Sequence, residues 1–216
     1  MNEKNWREWF FIIAMCVHII TTILVLIAML FYTGGTSTNS GAPGFSLWAN
    51  SISDLGRTKA FSGKSNTASS LLYSISQIIL GIFFVPAAII LPYYFKDTKF
   101  DKWLSYVGSF CLSVGGILIT IIAFRPPDIY ENMVLSGIES LAMLTYLILY
   151  SIAGLHNKSF PKKYGCLWLV ILVNIFIERF MMILFAVGLA YWYIIYSIIR
   201  FCLAYGFYKQ SKNLTL

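Results

Sequence analysis

Long apolar runs recur along this chain, and they constrain its fold more than any motif does. A helix that crosses a hydrocarbon core needs about 20 mostly apolar residues, and its backbone must satisfy its own hydrogen bonds there. Six segments reach that length: Trp9 to Tyr32, Thr67 to Tyr93, Trp103 to Phe124, Val134 to Leu155, Tyr164 to Phe185 and Leu189 to Tyr208. Residues 164–208 have no polar break, and Gly188 marks the expected turn between the last two. The expected fold is an all-α integral membrane protein, a six-transmembrane-helix bundle that forms one domain over residues 1–216. No internal repeat interrupts that layout.

Charge supports this reading. Hydrophobic residues make up 58% of the chain and charged residues 12%, whereas a soluble domain carries about 25% charge. The net charge of +7 does not indicate nucleic acid, because the basic residues form no stripe and no known nucleic-acid motif. Their placement follows the positive-inside rule. With six spans, one side holds Lys4, Arg7, Lys96, Lys99, Lys102, Lys158, Lys162, Lys163, Lys209 and Lys212, and the other holds Arg57, Lys59, Lys64 and Arg125. The richer side is expected to be cytoplasmic, with both termini inside and a long first extracytoplasmic loop. The expected location is the cell membrane, multi-pass. Trp6, Trp9, Trp48, Trp103, Trp168 and Trp192 fall near helix ends, the depth that amphipathic rings prefer.

Lys4 and Arg7 precede an apolar run, as in a signal peptide. The run over 9–32 exceeds the usual 7–15-residue core, and no A-x-A site follows, so it reads as a retained span. Cys16, Cys111, Cys166 and Cys202 sit in or beside apolar runs, with no CxxC and no metal-type His spacing. They read as small buried hydrophobes; neither a disulfide nor a metal is expected.

The 33–65 loop opens with TGGTSTNSGAPG, read as flexible. It continues as FSLWANSISDLG, which has the character of a short interfacial or re-entrant turn. Ser53 or Asp54 is expected to cap that turn, and Gly56 to close it. The second outer loop reads RPPDIYEN and brings Arg125, Asp128 and Glu131 to the same surface.

Ionisable residues inside spans are costly and therefore informative. Asn132, Ser136, Glu139, Met143, Tyr146 and Tyr150 share one face of span four. Glu139 is either a working acid or an interhelical hydrogen-bond partner. Glu178 and Arg179 point about 100° apart and should reach different helices. Arg179 meeting Glu139 or Asp54 is the obvious pairing, and a buried pair that fixes helix register is the alternative. Arg200 is expected to snorkel toward the cytoplasm. His18 reads as hydrogen-bonded structure, and His156 as solvated. Ser70, Ser74, Gln77 and Gly81, with Ser109, Ser113, Gly116 and Thr120 on the next span, read as close helix packing or as a polar cavity wall.

NSISDLG after span one, RPPD after span three and IERF in span five resemble the pattern of a prokaryotic six-span membrane family that is described as a domain of unknown function. That family is distantly similar to the DRAM/Sfk/Frag group. The resemblance rests on Asn50, Ser53, Asp54, Leu55, Gly56, Pro126, Asp128, Glu178 and Arg179. It implies a fold and a membrane location, not an activity. In that family a His often follows the P-D element; residues 129–140 here contain none, which argues against a His-based mechanism.

Three functions compete. The first is binding of a lipid or small amphiphile through an outer charge cluster of Asn50, Ser53, Asp54, Arg57, Arg125, Asp128, Glu139, Glu178 and Arg179. Arg matches phosphate geometry, Asp54 is expected to pair with an Arg, and the Gly-rich loop serves as a lid. The second is an intramembrane lipid-modifying hydrolase, with Glu139, Glu178 or Asp54 as acid/base and Ser51 or Ser53 as nucleophile. No G-x-S-x-G, HExxH or multi-His set supports it. The third is a small proton-coupled transporter. Pro86 and Pro92 interrupt span two, but no matching break occurs in the second half. Membrane lipids are the expected partners and no cofactor or nucleic acid is expected; self-association into a homo-oligomer is left open.

Overall fold

The computed structural model describes residues 3–130, 132–185 and 190–213, with side chains for 6–130, 132–177, 190 and 193–212. Six helices follow one another: α1 (Glu3–Phe31), α2 (Thr67–Ile90), α3 (Lys99–Ala123), α4 (Met133–His156), α5 (Lys162–Phe185) and α6 (Tyr191–Asn213). Two 3-10 turns, Ile52–Gly56 and Leu91–Tyr94, lie in the connections. No strand forms among the described residues; Lys59 and Ser65 make an isolated bridge. The expected turn at Gly188 lies outside the described residues.

Local chemistry sets the ends. Thr98 caps α3 by accepting the Asp101 amide at 3.0 Å, which satisfies one of the orphan donors of a helix start. Asn157 follows α4, and its side-chain oxygen takes the Phe160 amide at 2.8 Å, turning the chain into α5. Pro86 lies inside α2, where neighbouring helices support the backbone it interrupts.

Each helix packs on the next, and α6 returns to α1, so the bundle is a closed ring. Glycines permit the closest approach. A Cβ on Gly116 would lie 2.6 Å from the Gly81 carbonyl oxygen, so α2 and α3 meet backbone to backbone. The small-residue reading thus holds at Gly81 and Gly116. At the end of the ring that carries the termini, Phe11, Tyr94, Phe95, Phe160, Trp168 and Phe207 form one buried aromatic cluster. Phe95 and Phe160 stand 4.9 Å apart by centroid and Phe160 and Phe207 5.1 Å, the spacing of favourable ring contacts. At the opposite end Val25, Ala28 and Tyr32 of α1 and its extension pack with Leu55 and Ala60 of the long loop.

Helices α1–α4 are each long and apolar enough to cross a membrane. Their outward faces carry large apolar side chains such as Leu30, Ile82, Phe110 and Leu141, a surface that a water-soluble monomer does not present over such an area. Polar groups turn inward instead. Tyr150 and Ser109 share a hydrogen bond of 2.7 Å between α4 and α3. His156 is not simply solvated: its Nδ1 meets the fully buried Asp101 at 2.7 Å, tying the end of α4 to the start of α3. The four cysteines are free thiols and are not the buried hydrophobes expected: Cys16 and Cys166 lie exposed on outward helix faces, and Cys111 and Cys202 are partly exposed.

Candidate functional site

The long loop is folded throughout. Its Gly-rich opening, expected to be flexible, turns back on itself through Gly35 N–H to the Ala42 carbonyl at 2.8 Å and Thr36 N–H to the Asn39 carbonyl at 2.8 Å. Asn50 is fully buried at its hub. Its amide group donates to the Gly35 carbonyl at 3.1 Å and to Asp54 at 3.0 Å, and its oxygen accepts the Ser46 amide at 2.9 Å. The chain needs that many partners because a buried backbone polar group without one is costly.

In the SISDLG turn it is Asp54, of the two expected residues, that offers the cap oxygen. Asp54 reaches back to the Ser51 amide at 2.9 Å and to the Ser51 hydroxyl at 3.0 Å, so Ser51 rather than Ser53 occupies the cap position. No described arginine pairs with Asp54. Arg57 donates to the Lys59 carbonyl at 3.2 Å and lies 4.3 Å from the Phe61 ring centroid. Gly56 has an ordinary negative φ and does not close the turn as a left-handed residue. It is needed for a close approach: a Cβ there would meet the Tyr73 ring at 2.9 Å.

Two clamps hold the loop onto the helices. Asn66, at the start of α2, donates to the Leu55 and Arg57 carbonyls at 3.2 and 2.9 Å and accepts the Thr33 amide at 3.4 Å. Asp128, from the second loop, accepts the Thr58 amide at 2.8 Å, the Thr58 hydroxyl at 2.6 Å and the Lys59 amide at 2.9 Å. Partial burial alone would raise the Asp128 carboxyl, but these donors outweigh it and hold the pKa below the usual carboxylate value.

Beneath this loop lies a cavity of about 900 Å³ lined by all six helices, a size typical of small-molecule sites. Ser53 and Gly56 of the 3-10 turn border it, together with Arg125 and Asn132. The Arg125 Nε donates to Asn132 Oδ1 at 2.9 Å, and Asn132 returns a bond to the Arg125 carbonyl at 2.7 Å. Glu139 lies further in, with Tyr73, Ser74 and Gln77 from α2. Toward the termini the walls become apolar and aromatic: Phe11, Phe84, Leu112, Leu203 and Phe207. One end of the cavity is therefore polar and charged and the other resembles hydrocarbon.

Of the expected cluster, the structure brings Ser53, Arg125 and Glu139 to this cavity. Asn50, Asp54 and Asp128 are engaged in loop contacts, and Arg57 lies against Phe61. The Glu178 and Arg179 side chains, and Glu131, lie outside the described residues. Ser74 and Gln77 take the cavity-wall alternative, while Ser70 donates to the Gly56 carbonyl at 2.9 Å. His18, Tyr73, Tyr193 and Arg200 also line the cavity, and sequence reasoning gave them no such role. For Arg200 a signal existed: Tyr193, Tyr196, Arg200, Leu203 and Phe207 share one helical face. That face turns inward, so Arg200 lines the cavity instead of pointing only toward the helix end.

No family model, curated protein or solved structure matches the chain. Fold and site therefore define its class directly: a ring of six helices, four able to cross a membrane, around an amphipathic cavity.

Proposed function

We propose that the chain crosses the cell membrane six times, with both termini cytoplasmic, and holds a lipid or small amphiphile in its central cavity. Helices α5 and α6 are 24 and 23 residues long, enough for a span of about 20. They close the ring between α4 and α1, so if α1 and α4 cross the bilayer they lie at the same depth. The excess of basic residues at the termini end supports the orientation.

The observation that carries the ligand class is the polarity gradient of the cavity. Arg125, Asn132 and Glu139 stand near the looped end and Phe11, Leu203 and Phe207 at the other. A headgroup is matched by the first set and an acyl chain by the second. The loop, tied down by Asp128 and Asn66, covers the polar end.

Mass spectrometry of lipids retained by the purified protein in nanodiscs, before and after incubation with a total lipid extract, tests this. Wild type is expected to retain a specific amphiphile. Leu203→Trp, which fills the apolar part of the cavity, is expected to lose it, and Glu139→Gln to weaken it. Equal retention by wild type and Leu203→Trp would sink the reading. A new lipid product made by wild type alone would replace binding with catalysis.

A further inference from the structure

We infer that the cavity opens sideways to the bilayer through a slot between α4 and α5, so that its ligand is a lipid drawn from the outer leaflet and not an amphiphile delivered from water. This rests on the amphiphile reading of the cavity and deepens it. Among the described cavity-lining residues on the helices, Leu141 of α4 and Phe176 of α5 alone are exposed, at 65% and 57%. Each borders the cavity with one part of its surface and the outside of the bundle with another. The edge of an opening puts a side chain in both places; a closed wall does not. The two also stand at one level. Helices α4 and α5 run antiparallel, and continuing the register set by Gly154 with Gly165 and by Tyr150 with Trp168 brings Leu141 opposite Phe176.

Side-chain size explains why the seam parts there. Toward the termini it is shut: a Cβ on Gly154 would lie 2.9 Å from the Gly165 Cα, and small residues at such a contact let two backbones touch. Next, the Trp168 indole N–H donates to the Tyr146 hydroxyl at 3.0 Å, and this bond is the floor of the slot. Nearer the looped end the cavity is bordered by Leu141 and Leu144 on α4 and by Ile175 and Phe176 on α5. Large apolar side chains at all four positions keep the backbones apart and give the slot walls that match an acyl chain. The other seam of α4 is closed near this level, where a Cβ on Gly115 of α3 would meet the Met143 Sδ at 2.5 Å. The opening therefore lies on one side of α4.

Depth identifies what passes through. Leu141 stands about 12 Å along α4 from Met133 by helical rise, within the outer half of a hydrocarbon core about 30 Å thick. Arg125 and Asn132 border the cavity at the looped end, the level of the outer headgroups. A lipid of that leaflet already carries its head at their depth and its chain at the depth of the slot. It moves in sideways without turning over and without exposing its chain to water. The route from water is the obstructed one, because the covering loop is tied to α2 by Asn66 and to the second loop by Asp128.

The test is lipid exchange by the full-length protein in nanodiscs assembled from a chain-deuterated total lipid extract. Mass spectrometry reads the lipid that stays with the protein when the bulk bilayer is removed. Wild type is expected to replace its retained lipid with deuterated lipid. With the native cysteines replaced by alanine, Leu141→Cys and Phe176→Cys joined by a reductant-cleavable bismaleimide should exchange at least tenfold more slowly, and cleavage of the linker should restore the rate. Leu141→Trp alone should slow exchange a fewfold. Ile138→Trp, exposed on the same helix but away from the cavity, should leave it unchanged. That pair keeps the test sound if the cross-linked protein does not fold. Equal rates with the linker closed and cleaved, or with Trp at either position, would overturn the slot and leave the amphiphile cavity standing; faster exchange by Asp128→Ala would then place entry at the loop. Retained lipid that wild type never exchanges would also overturn the slot alone. No lipid retained by wild type would overturn both readings.

Discussion

Asp128 receives both the amide and the hydroxyl of Thr58, at 2.8 and 2.6 Å, across 70 residues of chain. One carboxylate thereby joins the two loops that frame the mouth of the cavity. Asp128→Ala removes the acceptor for three donors at once and should cost about 1.5–3 kcal/mol, the range for hydrogen bonds to a charged group. Thermal unfolding in nanodiscs is the measurement, and an unchanged midpoint would show that the clamp does not hold the loop.

The same residue sets a pH dependence. Its folded pKa lies below the ordinary carboxyl value, which is about 3.9 in an unfolded chain. Folding therefore favours the ionised form, and that stability is fully present above the unfolded value. It is lost as pH falls through the folded one. Wild type should lose stability on acidification through the carboxyl range by more than Asp128→Asn does. Parallel acid profiles for the two proteins would count against the linkage.

Asp54→Asn should loosen the first loop. Asp54 accepts from Asn50, the Ser51 amide and the Ser51 hydroxyl, whereas an asparagine presents one acceptor and turns a donor toward them. Faster limited proteolysis within residues 33–65 is expected, together with a lower melting temperature. If cleavage rate and melting both match wild type, the turn is held by something else.

The helices were legible because their period and length are physical necessities in a membrane, and the observed ends fall within a few residues of the expected ones for α2 and α4. The loop was not. TGGTSTNSGAPG looks unstructured because its order comes from Asn50 and from backbone pairs such as Gly35 with Ala42, and a sequence does not mark which asparagine will be buried. Asp54 was visible as important, but its described partners are local donors three and four residues away, Ser51 and Asn50, which no motif in the sequence marks. Arg200 was visible as a charge in a span. Its direction depended on α6 closing the ring against α1, a tertiary fact that no single helix encodes.

His156 provides a test at the other end of the bundle. It is half exposed, yet its partner Asp101 is fully buried, so His156→Ala leaves a buried carboxylate without its side-chain partner. A loss of about 2 kcal/mol is expected, because the penalty is that of the group left behind. His156→Ala combined with Asp101→Asn should recover part of it. Additive losses in the double variant would show that the two residues do not act as a pair.

Tyr150 separates ring from hydroxyl. The ring is fully buried between Phe95, 5.3 Å away, and Trp168, also at 5.3 Å. The hydroxyl shares a 2.7 Å bond with Ser109 and donates toward the Ser105 carbonyl at 3.2 Å. Hydrogen bonds between helices in a membrane are worth about 0.6–2 kcal/mol, so Tyr150→Phe should cost about 1 kcal/mol. Tyr150→Ala removes the ring and should cost about 3–5 kcal/mol, as large-to-small changes in packed cores do. Unfolding of both variants in the same lipid gives the ratio. If the Phe variant falls as far as the Ala variant, the α3–α4 contact is held by the hydroxyl network and the aromatic cluster merely fills the space around it.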